Sequence, residues 1–199
     1  MSKEICIVSG LPRSGTSLMM KMLEAGGMDI AIDNSRRADE DNPKGYYELE
    51  VVKTIKQDTS WLDGLVGKAF KMVSMLLYDL PRDRRYKIIF MRRNMEEILA
   101  SQHVMLQRQG KPCNADEQAT MRKLFAQHLE QVQKWLAGQS EMEVCYIWHH
   151  DLLQQPRNAL RPVCKMLGRP LDIQRMVDVV DASLYRQTHR TQYESSCHG

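Results

Sequence analysis

Apolar residues along the chain fall into short unbroken runs and longer stripes spaced three or four apart. Residues 4–9 (EICIVS) form the first run and stop at Gly10, the pattern of a buried strand. Thr16–Ala25 (TSLMMKMLEA) reads as a helix, with Gly26 and Gly27 as its stop signal. Residues 33–47 (DNSRRADEDNPKGYY) are polar and read as a surface loop. The spacing then predicts a helix from Glu48 to about Thr59, with Leu49, Val52 and Ile55 on one side. A strand at Ala69–Val73 and a turn near Pro81 precede Tyr86–Met91 (YKIIFM), a continuous apolar run of the kind parallel sheets bury on both faces.

Asn94, with Glu97 three residues on, opens another helix in the manner of a capping box. A loop with Gly110, Pro112 and Asn114 leads to the longest helix, 116–137, which Gly138 ends. Met121, Leu124, Phe125, His128, Val132 and Trp135 make its apolar stripe. Glu143–Trp148 is a third strong strand, and Pro156–Leu167 a helix closed by Gly168. Strands alternating with helices predict an α/β three-layer sandwich on a central, mostly parallel sheet. One domain is expected over residues 1–199, with a core of about 4–182 and a polar tail from 183.

Composition narrows this little. Hydrophobic residues at 43% and charged residues at 27% are globular values, which excludes a disordered or fibrous chain. A net charge of +3 is too small to imply nucleic acid and suits an anionic small ligand. Fourteen Met against three Phe predicts a core of flexible side chains. The cysteines (Cys6, Cys113, Cys145, Cys164, Cys197) are odd in number and lack CxxC spacing, so neither zinc nor a disulfide framework is indicated. The run Ile5–Val8 is too short for a signal sequence, and no stretch approaches a membrane span. A cytoplasmic protein, with no membrane and no nucleic-acid partner, is the expectation.

The chemistry starts at Gly10-Leu11-Pro12-Arg13-Ser14-Gly15-Thr16-Ser17, between a buried strand and an amphipathic helix. That context, with the spacing G-x-x-x-x-G, matches a loop that wraps a phosphate. The amides of Ser14, Gly15, Thr16 and Ser17 are expected to point at the anion, helped by the helix dipole. A nucleotide-hydrolase loop carries Lys after its second Gly. Here Thr16 stands there, and the cation is Arg13 inside the loop. The strand YKIIFM ends in Arg92-Arg93 rather than a carboxylate, so a Mg²⁺-holding Asp has no counterpart and no metal is expected. Arg93 and Ser101, eight residues on, are placed to clamp a second phosphate at the same sheet edge.

Together these runs resemble the sulfotransferases that use 3′-phosphoadenosine 5′-phosphosulfate. Gly10–Ser17 is similar to that family's 5′-phosphosulfate loop. The run Phe90-Met-Arg-Arg-Asn94 with Ser101 is similar to its 3′-phosphate site, Arg93 and Ser101 standing at the Arg and Ser positions. Val144–Leu153 with Pro156 and Leu167-Gly168 is similar to its late strand, "ED-L" turn and helix. The resemblance spans roughly residues 4 to 170 and implies a P-loop nucleoside-triphosphate-hydrolase-like fold.

Two departures matter. The cytosolic members carry Lys-Thr-His on a middle strand, with His as general base. The comparable stretch is Phe70-Lys71-Met72-Val73-Ser74, so Lys71 matches and Val73 replaces the His. Other branches use a Glu after the first helix, which makes Glu48 the candidate base, with Asp33, Glu40 and Asp41 as competitors. The family's Arg-Lys-Gly-rich cover over the nucleotide is missing from residues 185–190 and beyond, where only Arg186 or Arg190 offers a substitute. His149-His150-Asp151 has metal-ligand residue types but is expected to line a turn, and His103 to sit on a helix surface.

The resemblance implies sulfuryl transfer from 3′-phosphoadenosine 5′-phosphosulfate, as cosubstrate, to a hydroxyl or amine on a small-molecule or polymer acceptor. Arg13, Glu48 and Lys71 are the catalytic candidates. Arg13, Ser14, Gly15, Thr16, Ser17, Arg93 and Ser101 are the donor-binding candidates. A P-loop small-molecule kinase and a non-catalytic nucleotide-binding module are the rival readings.

Overall fold

A computed structural model describes residues 4–33 and 47–180. Most of the polar loop, including Glu40 and Asp41, and the tail with Arg186, Arg190 and Cys197 lie outside the described residues. The strand runs fold as their patterns predict. β1 (Glu4–Gly10), β2 (Ala69–Val73), β3 (Arg85–Arg92) and β4 (Met142–Trp148) form one four-stranded sheet in the order β2-β1-β3-β4. Every pairing is parallel. β1 is central because both its neighbours bury it. Ile7 and Val8 are fully covered, as a strand hydrophobic on both faces requires.

Alternation along the strands splits the core in two. Cys6 and Val8 meet Met19, Met22 and Leu23 of α1 (Thr16–Ala25) and Leu160 and Val163 of α5 (Pro156–Leu167). Ile5, Ile7 and Phe90 face the other way, onto Val132 and Leu136 of α3 (Ala115–Ala137). Helices α2 (Met95–Arg108), α4 (His149–Gln154) and α6 (Ile173–Asp178) complete the layers. This is the three-layer α/β sandwich the sequence implied. Met19, Met20, Met22, Met72 and Met91 lie fully inside it, so unbranched thioethers do fill the gaps between layers.

Three local expectations change. The helix expected from Glu48 to Thr59 is only a 3-10 turn, Glu50–Thr54. Val51, Val52, Thr54 and Ile55 crowd their own backbone, and the amides of Gln57 and Asp58 both donate to Thr54 O, at 2.8 and 2.9 Å, which turns the chain. Val52 and Ile55 are nonetheless buried, so the apolar spacing served packing rather than helicity. The capping box expected at Asn94 is half formed: its side chain accepts from Glu96 N, while Glu97 turns to Arg93. The complete box is at Asn114 and Glu117. On α3, Leu124 leaves the predicted stripe and is 60% exposed, and His128 is only half-buried.

Candidate active site

All four strands run the same way, so β1, β2 and β3 deliver their C-terminal ends to one edge. Gly10 closes β1 there, in register with Val73 and Met91. Its φ is +149°, and a Cβ on it would come within 2.6 Å of Ser14 Oγ and 2.7 Å of the Met91 carbonyl oxygen. Only glycine lets the chain leave the sheet so close to its neighbours. Gly15, at φ +98°, turns the loop into α1, whose first turn has no side-chain cap. The donors at that helix end are the groups with which such loops hold anions.

Ser14 behaves differently from the expectation. Its Oγ donates to Leu11 O at 2.7 Å and its amide to the same oxygen at 3.2 Å. Both donors close the loop on itself, so Ser14 braces the turn rather than offering them to a ligand. Thr16 and Ser17 are half-buried at the start of α1.

Arg13 joins the two expected anion sites. It takes left-handed backbone, φ +68°, uncommon for a residue with a Cβ. Its Nε donates to Ser101 Oγ on α2 at 2.9 Å, and its carbonyl accepts from an Arg93 terminal nitrogen at 3.1 Å. Ser101 is buried on its helix. Arg93, just past β3, also donates through Nε to Glu97 Oε2 at 2.9 Å, with both side chains about nine-tenths covered. Glu97 is thus a site residue that sequence reading missed. Its i,i+4 spacing from Arg93 was the available signal. Arg92, the other arginine of the pair that ends the YKIIFM run, instead lies 4.5 Å over the Trp148 ring. Strand alternation sends it to the opposite face from Arg93.

A second group forms along β2. Lys71 Nζ is 3.6 Å from Glu48 Oε1, and both side chains are partly covered. Glu48 is held by its flanks: Asp33 N donates to Glu48 O at 3.3 Å, and Asp33 Oδ2 accepts from Glu50 N. Tyr47 Oη donates to Glu24 Oε2 on α1 at 2.6 Å, and burial with that carboxylate pushes the phenol pKa up. Asp33 therefore anchors the segment that carries Glu48. Val73, where the resemblance expects His, is 41% exposed at the end of the same strand.

His149 is the other residue the sequence undervalued. The expected turn-lining stretch begins α4, and the His149 ring lies against Gly15: a Cβ there would be 2.5 Å from His149 Cδ2. Burial, then the nearby Arg93 and His150 charges, push its pKa down to about 3. His150 Nε2 instead approaches Asp151 Oδ1 at 2.9 Å, on the exposed side. His103 Nδ1 meets Gln118 Nε2 at 3.0 Å, so that side chain is held against the start of α3. Among the described residues, no three His, Cys, Asp or Glu side chains are grouped to hold a metal ion, and no helix is long and apolar enough to cross a membrane.

Comparison with known proteins finds one family and its fold. A family model described as "Sulfotransferase domain" matches residues 3–196. No curated protein sequence matches the chain. Among solved structures, a sulfotransferase STF1 from Mycobacterium tuberculosis H37Rv is similar, with a TM-score of 0.59 at 15% identity, over 99% of this chain and 77% of that one. The sulfotransferase domain of the Synechococcus PCC 7002 olefin synthase gives 0.52 at 14% identity, covering 94% and 84%. The mouse sulfotransferase SULT7A1, complexed with PAP, gives 0.53 at 12% identity, covering 90% and 63%.

Proposed function

This chain belongs to the sulfotransferase domain family, and on that premise we propose that it transfers a sulfuryl group from 3′-phosphoadenosine 5′-phosphosulfate to an acceptor hydroxyl or amine. The observation that carries the reading is Arg13, which hydrogen-bonds Ser101 through its side chain and Arg93 through its carbonyl. One residue of the phosphate loop thereby ties that loop to a second cationic, hydroxyl-bearing site at the end of β3. Two anion sites held at a fixed spacing suit a nucleotide with phosphate at both 5′ and 3′ positions.

The residues present fit such a donor. The uncapped first turn of α1, with Thr16 and Ser17, receives the 5′-phosphosulfate. Arg93, oriented by Glu97, and Ser101 receive the 3′-phosphate. Arg13 lies between them, where its charge serves both. In the transfer, the acceptor oxygen or nitrogen attacks sulfur in line and the sulfur–oxygen bond to the 5′-phosphate breaks. Negative charge then grows on that phosphate, and preorganised amides and Arg13 stabilise it. Glu48 takes the acceptor proton, and Lys71, 3.6 Å away, orients the carboxylate and supports the transferring group. With Val73 in place of a histidine, the Glu48–Lys71 pair is the acid–base chemistry available along β2.

Calorimetric titration with adenosine 3′,5′-bisphosphate and with ATP, each with and without Mg²⁺, tests the reading. Metal-independent bisphosphate binding, weakened by Ser101→Ala, is expected. Mg²⁺-dependent ATP binding with no response to the bisphosphate overturns it in favour of a kinase. Bisphosphate binding without turnover of the sulfated donor, across a panel of phenol, sugar and amine acceptors, favours a binding module.

A further inference from the structure

We infer that the acceptor hydroxyl is carried on an extended apolar body, which lies in the notch between α2 and the turn that follows β2. The inference rests on the sulfuryl-transfer reading above and names its acceptor class.

The helical hairpin of α2 and α3 stands above the edge where the phosphate loop lies. At a rise of about 1.5 Å per residue, the 23 residues of α3 span about 34 Å, whereas the 7 of β4 span about 23 Å. The helix returns the chain to the start of β4, so its first turns outrun the sheet. Arg122 pairs with Glu96 in the first turn of α2, which fixes the level at which the two helices leave the sheet. Above it the hairpin has no core of its own: not one residue from 102 to 131 is buried. Val104, Met105 and Leu124 are thus left for a ligand to cover.

Two apolar surfaces border the site. On α2, Glu97, Ser101, Val104 and Met105 share one face by helical spacing. Glu97 holds Arg93 and Ser101 accepts from Arg13, so that face is turned to the phosphate loop, and its next turn is apolar. The other surface follows β2. Ser74, fully buried, hydrogen-bonds His128 Nε2 on α3 at 2.8 Å and pins the 3-10 turn Ser74–Asp79 to that helix. Around this pin Val73, Met75 and Tyr78 are exposed, as is Leu124, one turn before His128. Trp135 braces the Tyr78 ring at 4.8 Å, so the aromatic face is preset. Val73 also shares the Lys71 face, two residues on, so the apolar surface begins where the Glu48–Lys71 pair ends.

These side chains select by chemistry. A sugar needs a partner for each hydroxyl that it brings out of water, and Val73, Met75, Val104, Met105 and Leu124 offer none. An alkyl or aryl body loses nothing there and gains with each methylene covered. Its hydroxyl is then the one polar group, and that group is left to Glu48.

The test titrates 1-alkanols from butanol to octanol, with glucose as the polar control, into the full chain saturated with adenosine 3′,5′-bisphosphate, and reads the heat. Affinity is expected to rise about threefold for each methylene, with no saturable binding of glucose. Leu124→Asp, whose side chain already meets solvent, is expected to keep wild-type melting and to weaken octanol at least about tenfold; Met105→Ser weakens octanol likewise. Val66→Asp alters a residue as exposed as Val73, but before β2 begins, at the far end of the sheet. It leaves octanol affinity within about twofold. A flat dependence on chain length, glucose binding tighter than octanol, wild-type octanol affinity in Leu124→Asp and Met105→Ser, or equal losses in Val66→Asp and Leu124→Asp each overturn the acceptor class alone. Sedimentation of the same proteins adds one arm: a wild-type dimer that Leu124→Asp dissociates, with octanol affinity unmoved, assigns the surface to a second copy and overturns the inference. A wild-type chain that does not bind the bisphosphate overturns the donor reading and the acceptor class with it.

Discussion

Acidification measures how firmly His149 is held neutral. The ordinary imidazole pKa of 6.5 falls to about 3 in the folded protein, first from burial and then from the Arg93 and His150 charges. A depressed folded pKa means the unfolded chain takes up the proton first. Stability from this group is therefore complete above pH 6.5 and declines as pH falls from there towards 3. Between pH 7.5 and 5.0 the unfolded state gains about 1.5 pH units of proton affinity that the folded state forgoes. That amounts to about 2 kcal/mol of lost stability, or roughly 4–8 °C in melting temperature for a chain of this size. His128 acts in the same direction, since burial lowers its pKa too.

Carboxylates also titrate in this window, so the informative quantity is a difference of differences. Guanidinium unfolding of wild type and His149→Phe, at pH 7.5 and 5.0 and fixed ionic strength, isolates the one imidazole. The wild type should lose about 2 kcal/mol more than the variant over that interval. Equal losses in the two proteins would falsify the reasoning, because they would mean that His149 accepts a proton in the folded state beside Arg93.

Three further outcomes are expected. Arg93→Ala strands the buried Glu97 carboxylate, so unfolding measurements should show a loss of about 3–5 kcal/mol, partly recovered by adding Glu97→Gln; additive losses would refute the pairing. Gly10→Ala forces a Cβ against the Met91 carbonyl and Ser14 Oγ, and should lower stability by about 2 kcal/mol or more and abolish bisphosphate binding; a wild-type melting curve would contradict the loop geometry. Glu48→Gln should reduce kcat on the order of 10²–10⁴-fold while leaving bisphosphate affinity within about twofold, and undiminished turnover removes Glu48 as the base.

The sheet was legible in the sequence because burial on both faces writes itself as uninterrupted runs. EICIVS and YKIIFM admit no other economical reading, and glycine at position 10 marks where the first must leave the sheet. The glycines of the loop after β1 were legible for a related reason: positive φ at Gly10 and Gly15 favours glycine whatever lies nearby, although Met91 and His149, far along the chain, also leave no room for a Cβ there. What failed were inferences that treated a local pattern as if it named its own partner. Val52 and Ile55 carry helical spacing, yet β-branched crowding and the bonds to Thr54 make a 3-10 turn that buries the same side chains. Leu124 fits the α3 stripe by period, but among the described residues it is left 60% exposed. Arg92 and Arg93 look equivalent as neighbours, and strand alternation gives one to Trp148 and the other to the site.

The contacts that define the site are the ones no sequence window spans. Arg13 meets Ser101 across 88 positions and Arg93 across 80, and both meetings depend on β1 and β3 being paired in one register. A slip of one residue in that pairing would carry Arg93 to the other face, where Arg92 now lies. Glu48 depends on a different constraint. Its neighbours are tied to Asp33 and Glu24, two residues that precede it. A strand histidine would be positioned by the sheet. A carboxylate on an irregular segment needs such ties, and Asp33 and Tyr47 supply them. Exchanging Val73 for histidine therefore leaves the Glu48 scaffold intact, and in the background of Glu48→Gln it is the substitution that asks whether the strand position can still take the acceptor proton. Recovered turnover in Glu48→Gln/Val73→His, with a new pH dependence near the imidazole range, would show that the two positions face the same acceptor; no recovery would place the acceptor on the Glu48 side alone.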